Sequence, residues 1–242
     1  MNIDIQTAPN NVSLLRTELG VQLNLGLKHF DIDYLESKQA LKDTAQGRGT
    51  VHFFEQEDSN LVLRHYHRGG LYSKANKDLF LYTGIPNTRA YRELDVLVYL
   101  QSHNIKVASP VAARIVKSGL YYRADIITEQ VSDAQELHTL LKLHEVDENT
   151  WMKVGKAIAR LHQLDVRHDD INVKNVLITD QGEVVLIDFD KCKKQSHGNW
   201  KSANLARFYR SLIKQSNKQQ AYFFAQSNWE ALRSGYAEHI KD

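Results

Sequence analysis

Asp170, Asn175 and Asp188 are the side chains whose types and spacing could carry out chemistry in this chain. Asp170 and Asn175 lie five positions apart on a stretch that opens a short apolar run. That run, Val176–Ile178, reads as a buried strand. Asp180-Gln181-Gly182 has turn chemistry, and Val184–Ile187 is a second apolar run. The pattern predicts a hairpin with Asn175 at its start and Asp188 at its end, which antiparallel pairing brings together. A carboxylate, an amide oxygen and a second carboxylate are hard oxygen donors. They suit Mg²⁺ beside a phosphate and do not suit zinc. Any one of them alone reads better as a cap or turn residue; their common register points to a site.

The elements that must position this group can be read outward from it. Trp151, Val154, Ile158 and Leu161 recur at helical spacing, so a helix beginning at Thr150 leads into the loop. Leu137–Leu143 reads as a short helix before it. Leu205, Phe208, Tyr209 and Leu212 mark a helix after it, and Tyr222, Trp229, Leu232 and Tyr236 another. Upstream, 107–116 and 120–131 read as strands, and 51–54 with 61–66 as a hairpin. A helix capped by Asn87 or Thr88 turns Leu94, Leu97, Val98 and Leu100 inward. Alternation at Val21, Leu23, Leu25 and Leu27 predicts a strand, and 31–41 a helix capped by Asp31. The 242 residues suffice for a bilobal α+β enzyme. Net charge of +2 gives no footprint for nucleic acid. The single cysteine, Cys192, excludes an intramolecular disulfide and fits a reducing compartment. The N-terminus lacks signal-peptide character, and no run approaches a membrane span.

His168-x-Asp170 with Asn175, followed by Asp188-Phe189, resembles the catalytic and metal-binding loops of the protein-kinase-like superfamily. The resemblance implies a kinase-like fold with a β-rich N-terminal lobe (1–131, hinge near 129–132) and a minimal, mostly helical C-terminal lobe (132–242). It makes Asp170 the acceptor of the substrate hydroxyl proton, and Asn175 and Asp188 the holders of Mg²⁺ on ATP. Gly47 and Gly49 fall where a glycine-rich loop covers the nucleotide, with His52 in place of a third glycine. Arg64 takes the place of the strand lysine that grips phosphates, and Glu93 that of its helix partner, which predicts a Glu93–Arg64 ion pair. Glu129 and Val131 occupy the position of backbone contacts to adenine. Asp169 replaces the usual arginine and Asp190 the usual glycine, no Ala-Pro-Glu follows, and 54 residues remain after Asp188. These departures favour a small or lipid-linked acceptor over a protein. His168 is expected to be a structural hydrogen-bonder.

The chain as a whole resembles the 3-deoxy-D-manno-octulosonic acid (Kdo) kinases. The stretches that carry the resemblance include Arg64-His65-Tyr66-His67-Arg68-Gly69-Gly70, Thr88-Arg89-Ala90-Tyr91-Arg92-Glu93, and Trp200 with Asn204-Leu205-Ala206-Arg207. This implies ATP-dependent phosphorylation of a hydroxyl, with O4 the position it points to, on Kdo attached to lipid A. It further implies peripheral attachment to an anionic surface at the cytoplasmic face of a bacterial inner membrane, with no obligate protein partner. Arg68, Lys74 and Lys191 belong to basic stretches suited to an anionic acceptor, and His65 and His67 share a strand face with a surface or stacking role. Two other readings fit the same residues: a kinase of another small molecule or sugar, and a non-catalytic nucleotide-binding scaffold.

Overall fold

A computed structural model of the chain describes residues 3–46, 50–68 and 78–240. They form two units, Met1–Tyr99 with Ala108–Gln130 and Leu100–Val107 with Val131–Asp242. Gly47, Gly49 and Lys74 lie outside the described residues.

The first unit is built on an antiparallel sheet. Asn10 and Asn11, both left-handed (φ 65° and 58°), turn the chain between β1 (Asp4–Ala8) and β2 (Val12–Arg16). Next come α1 (Glu18–Gln22), α2 (Ile32–Ser37), β3 (Leu41–Gln46), β4 (Thr50–Gln56), β5 (Ser59–His65), β6 (Phe80–Leu81), α3 (Arg89–Ser102), β7 (Pro110–Ser118) and β8 (Tyr121–Glu129). The strand order is β1-β2-β7-β8-β5-β4-β3, with β6 also on β8. Alternation along β5 sends Leu61 and Leu63 into a core with Phe30, Leu35 and Phe54. Arg64 stands on the other face. Thr88 starts α3, its Oγ1 accepting from the Tyr91 amide at 3.3 Å.

The strand expected over 21–27 is not formed. Thr17 caps α1 instead, accepting from the Gly20 amide, and its hydroxyl donates to Pro110 O at 2.8 Å. Asn24 (φ 51°) then reverses the chain between Leu23 and Leu25, so both leucines are buried without a strand. Asp31 caps α2 as expected, but the helix stops at Ser37 because left-handed Gln39 (φ 53°) turns the chain into β3. The strands expected over 107–116 and 120–131 begin later, at Pro110 and Tyr121.

The second unit contains β9 (Ala134–Glu136), α4 (Leu137–Leu143), α5 (Glu148–Gln163), β10 (Val166–Arg167), β11 (Val176–Thr179), β12 (Val184–Leu186), β13 (Lys193–Lys194), α6 (Trp200–Ser216) and α7 (Gln226–His239). Asp147 caps α5 by accepting from the Thr150 amide at 2.9 Å. Trp151, Val154, Ile158 and Leu161 are all fully buried, as their spacing predicts. α5 and α7 meet backbone to backbone. A Cβ on Gly155 would fall 2.0 Å from Leu232 O, and one on Gly235 would fall 2.1 Å from Met152 O. Only glycine fits at either position. β12, β11 and β9 form a three-stranded sheet, with Val176 opposite Leu186.

Candidate active site

The catalytic-loop residues of the second unit are held by short-range backbone contacts. The β11–β12 hairpin places Asn175 and Asp188 at its open end, where the Ile187 amide donates to Asn175 O at 3.1 Å. Asn172 Nδ2 and Asn175 Nδ2 both donate to the Asp170 carbonyl, at 2.7 and 2.9 Å. The amide of Asn175 therefore spends its nitrogen on the loop, which orients its Oδ1 as an acceptor. Asp188 is left-handed (φ 63°). Outside a turn this costs on the order of 1–3 kcal/mol and marks a position fixed by its surroundings. The Asp170 carboxylate receives Arg207 Nη2 from α6 at 2.5 Å.

Two buried histidines lock this loop in place. His168 Nε2 donates to Ile187 O at 3.1 Å, and its ring packs on Phe189 with centroids 4.8 Å apart. Burial pushes its imidazole below the ordinary value, so it is neutral and structural, as its sequence position implies. Asn204 Nδ2 donates to His168 O at 2.8 Å, which turns Asn204 Oδ1 toward His162 Nε2 at 3.1 Å. His162 Nε2 is thus the protonated nitrogen, and Nδ1 accepts from Tyr236 OH at 2.9 Å. Burial lowers the His162 imidazole to about 4. Asp169 pairs with Arg167 and, at 3.8 Å, with Lys193. Lys191 is exposed in the turn after Asp190.

The first unit holds a different polar centre. Arg64 Nη2 donates to Glu93 Oε1 at 2.5 Å, the ion pair expected from the sequence. Tyr66 OH donates to Glu93 Oε2 at 2.6 Å, and Glu93 is only 3% exposed. Both carboxylate oxygens are thereby engaged, and the guanidinium of Arg64 lies 5.2 Å from the Tyr66 ring centroid. On the opposite face, His65 Nδ1 bonds Asp125 Oδ1 at 2.6 Å, and Asp125 Oδ2 accepts from Arg114 at 2.8 Å. The Asp125 hydrogen bond raises the His65 imidazole above its ordinary value. His67 packs edge-on against His65 at 4.9 Å.

Of the basic stretch expected over 64–77, the described residues include 64–68 only. Arg64 is committed to Glu93, and Arg68 is half-buried with its guanidinium 5.4 Å from the Phe80 ring centroid, a cation–π distance. Glu129 closes β8, where its amide donates to Ser109 O at 2.8 Å; Val131 follows outside any strand. Sequence reading passed over Tyr66 and Arg207 as site residues. Both belong to stretches that carry the family resemblance, but nothing local ties them to their carboxylates.

The donors present fit Mg²⁺. Asp188 and the Oδ1 of Asn175 supply two hard oxygens, the number a magnesium ion takes from protein when phosphates and water complete its shell. Among the described residues no cluster of three His, Cys, Asp or Glu side chains offers a self-sufficient metal cage.

An α+β chain with this loop and this ion pair has the kinase-like architecture of a phosphotransferase acting on an alcohol group. The chain belongs to the lipopolysaccharide kinase (Kdo/WaaP) family, whose sequence pattern matches residues 33–236. It is 41% identical over 194 residues to a 3-deoxy-D-manno-octulosonic acid kinase of Vibrio parahaemolyticus, covering 80% of this chain and 82% of that one. A protein of the same name from Haemophilus influenzae is 39% identical over 215 residues, covering 86% and 89%. One from Photobacterium profundum is 38% identical over 207 residues, covering 86% and 87%.

Proposed function

We propose that this protein transfers the γ-phosphoryl group of ATP to O4 of a Kdo residue attached to lipid A, in lipopolysaccharide core assembly. The observation that carries the reading is the loop in which Asn175 binds the Asp170 carbonyl while the hairpin sets Asp188 beside it. The named relatives, similar over most of their length, supply the acceptor class.

Asp170 takes the proton from the acceptor hydroxyl as its oxygen bonds to the γ-phosphorus. The bond from that phosphorus to the β–γ bridging oxygen breaks, and ADP leaves. Arg207 fixes the rotamer of Asp170 through Oδ1. Asn175 and Asp188 hold Mg²⁺, which when bound neutralises charge on the phosphoryl oxygens. Arg64, set by Glu93 and Tyr66, anchors the nucleotide phosphates. Gly47 and Gly49 contribute amides to the same phosphates, and the backbone of Glu129 and Val131 meets the adenine. Arg68, Lys74 and Lys191 attract the anionic acceptor. The lobes of this reading are 1–131 and 132–242, although 100–107 group with the second unit. No helix among the described residues is long and apolar enough to cross a membrane. The protein works as a peripheral enzyme on the cytoplasmic face of the inner membrane.

Transfer from labelled ATP and Mg²⁺ to Kdo-lipid A, with wild type beside Asp170→Ala, tests this. Wild-type transfer should fall by about 10²–10⁴-fold in the variant. Transfer to an aminoglycoside or another sugar and not to Kdo-lipid A would replace the acceptor, and undiminished transfer by the variant would remove Asp170 as base.

A further inference from the structure

From Lys191 to Trp229 the chain carries eight lysines and arginines and no aspartate or glutamate. The whole protein has a net charge of only +2, so this charge is concentrated in one stretch. Half of it is on α6. The helix buries Trp200, Asn204, Phe208 and Leu212. Its opposite side exposes Arg207, Arg210, Ile213 and Lys214, and Lys218 continues the row in the closing turn. Tyr209, Arg210, Ile213, Lys214, Asn217 and Lys218 line a shallow groove along this side.

We propose that the outward face of α6, centred on Arg210, Ile213, Lys214 and Lys218, is the surface that docks the protein on an anionic lipid bilayer. The inference rests on the lipid-linked acceptor of the proposed function, and it adds which face meets the membrane and what that contact does. Charge complementarity selects the occupant: a row of cations without an acid among them matches a sheet of phosphodiester headgroups. Ile213, 37% exposed in the middle of the row, adds apolar area that headgroup packing can cover and that nucleic-acid phosphates cannot use. The helix also links surface to chemistry. Arg207, which holds Asp170, lies three residues before Arg210, about 5 Å along the axis. Docking on α6 therefore brings the proton acceptor to the level of a sugar carried on a lipid headgroup.

The test uses the full chain, wild type beside a triple variant, Arg210→Gln with Lys214→Gln and Lys218→Gln. Glutamine keeps helix propensity, and a matched melting temperature shows that the variant folds. Binding is measured by co-sedimentation with phosphatidylcholine vesicles containing about 30 mol% phosphatidylglycerol and with vesicles of phosphatidylcholine alone. Wild type should bind the anionic vesicles, lose them as salt shortens the screening length, and ignore the neutral ones. The variant should bind about 100-fold more weakly, roughly fivefold per charge removed. Its transfer to a short-chain, water-soluble Kdo acceptor should match wild type, while transfer to acceptor embedded in vesicles falls. Equal vesicle binding by both proteins overturns the proposal. So does wild-type binding to duplex DNA but not to vesicles at the same salt. Vesicle binding that depends on these three residues, without transfer to any Kdo acceptor, would leave the docking surface standing and remove the acceptor reading.

Discussion

The two units solve the same problem, holding polar groups in fixed positions, by opposite electrostatic means. The first unit uses charge. Glu93 binds Arg64 and Tyr66, and Asp125 binds both His65 and Arg114. The second unit holds the backbone of its loop with neutral groups, although Asp170 and Asp169 themselves are ion-paired. Its loop hangs on His162, Asn204 and His168, a chain of hydrogen bonds whose imidazoles are kept uncharged by burial. A phosphate anchor must present a cation, so a partly exposed guanidinium tied to a buried carboxylate serves it. The proton acceptor already carries one charge partner, Arg207, and the neutral imidazoles behind its loop add rigidity without adding to that field.

The contrast is sharpest in pH dependence, where the largest effect is expected. The folded-state value of His162 lies near 4, below the ordinary 6.5. As pH falls below 6.5 the unfolded chain binds a proton that the folded chain refuses. Stability present above 6.5 is then lost progressively down to about 4, a total of about 3 kcal/mol from this residue. His65 runs the other way. Its raised value means that stability from the Asp125 pairing is fully present below 6.5 and is lost as pH rises through the folded value. One histidine-labelled NMR titration reads both. His65 should show a midpoint above 6.5, and His162, assigned by its absence in His162→Asn, should not titrate above about pH 5. A His162 midpoint near 6.5 would break the contrast.

Arg207 comes next in size. It sets a formal charge directly on Asp170, and a charge-assisted hydrogen bond of this kind contributes about 1.5–3 kcal/mol. Arg207→Gln should lower kcat by roughly 10- to 100-fold. The KM for ATP should hardly move, because the contact described for Arg207 is to Asp170 and not to Arg64, Asn175 or Asp188. A change confined to that KM would show that Arg207 does not position the base.

The same contrast explains what could be read in advance. The second unit's site lies within 168–190, so its register is written in consecutive residues, and the hairpin and its flanking helix follow from periodicity. α4 spans Leu137–Leu143, as its apolar run predicts. The contacts that pin the site are long-range: Arg207 is 37 residues from Asp170, and Asn204 is 36 from His168. The first unit is assembled from distant strands, with His65 and Asp125 separated by 60 residues. Its motif was visible at Arg64 and Glu93 only through family spacing, and Tyr66 was not. β1 escaped notice because its residues are mostly exposed and polar, so neither face gives a period. A strand was expected over 21–27 because Leu23 and Leu25, buried on either side of left-handed Asn24, imitate alternation.

Tyr66 offers the smallest and most selective probe of the charged centre. Its ring is buried, its hydroxyl donates to Glu93 Oε2, and its face carries the Arg64 guanidinium. Tyr66→Phe keeps the ring and the cation–π contact and removes only the hydroxyl donor. The buried carboxylate then loses one hydrogen bond, a cost of about 1 kcal/mol. For a chain of this size that lowers the melting temperature by about 2–4 °C. A less firmly held Glu93 lets Arg64 move, so the KM for ATP should rise by about two- to fivefold, while kcat at saturating ATP stays near wild type. Glu93→Gln, which also removes the charge, should raise that KM further. If Tyr66→Phe left both the melting temperature and the KM unchanged, the hydroxyl would have no part in setting Arg64, and the anchor would rest on the ion pair alone.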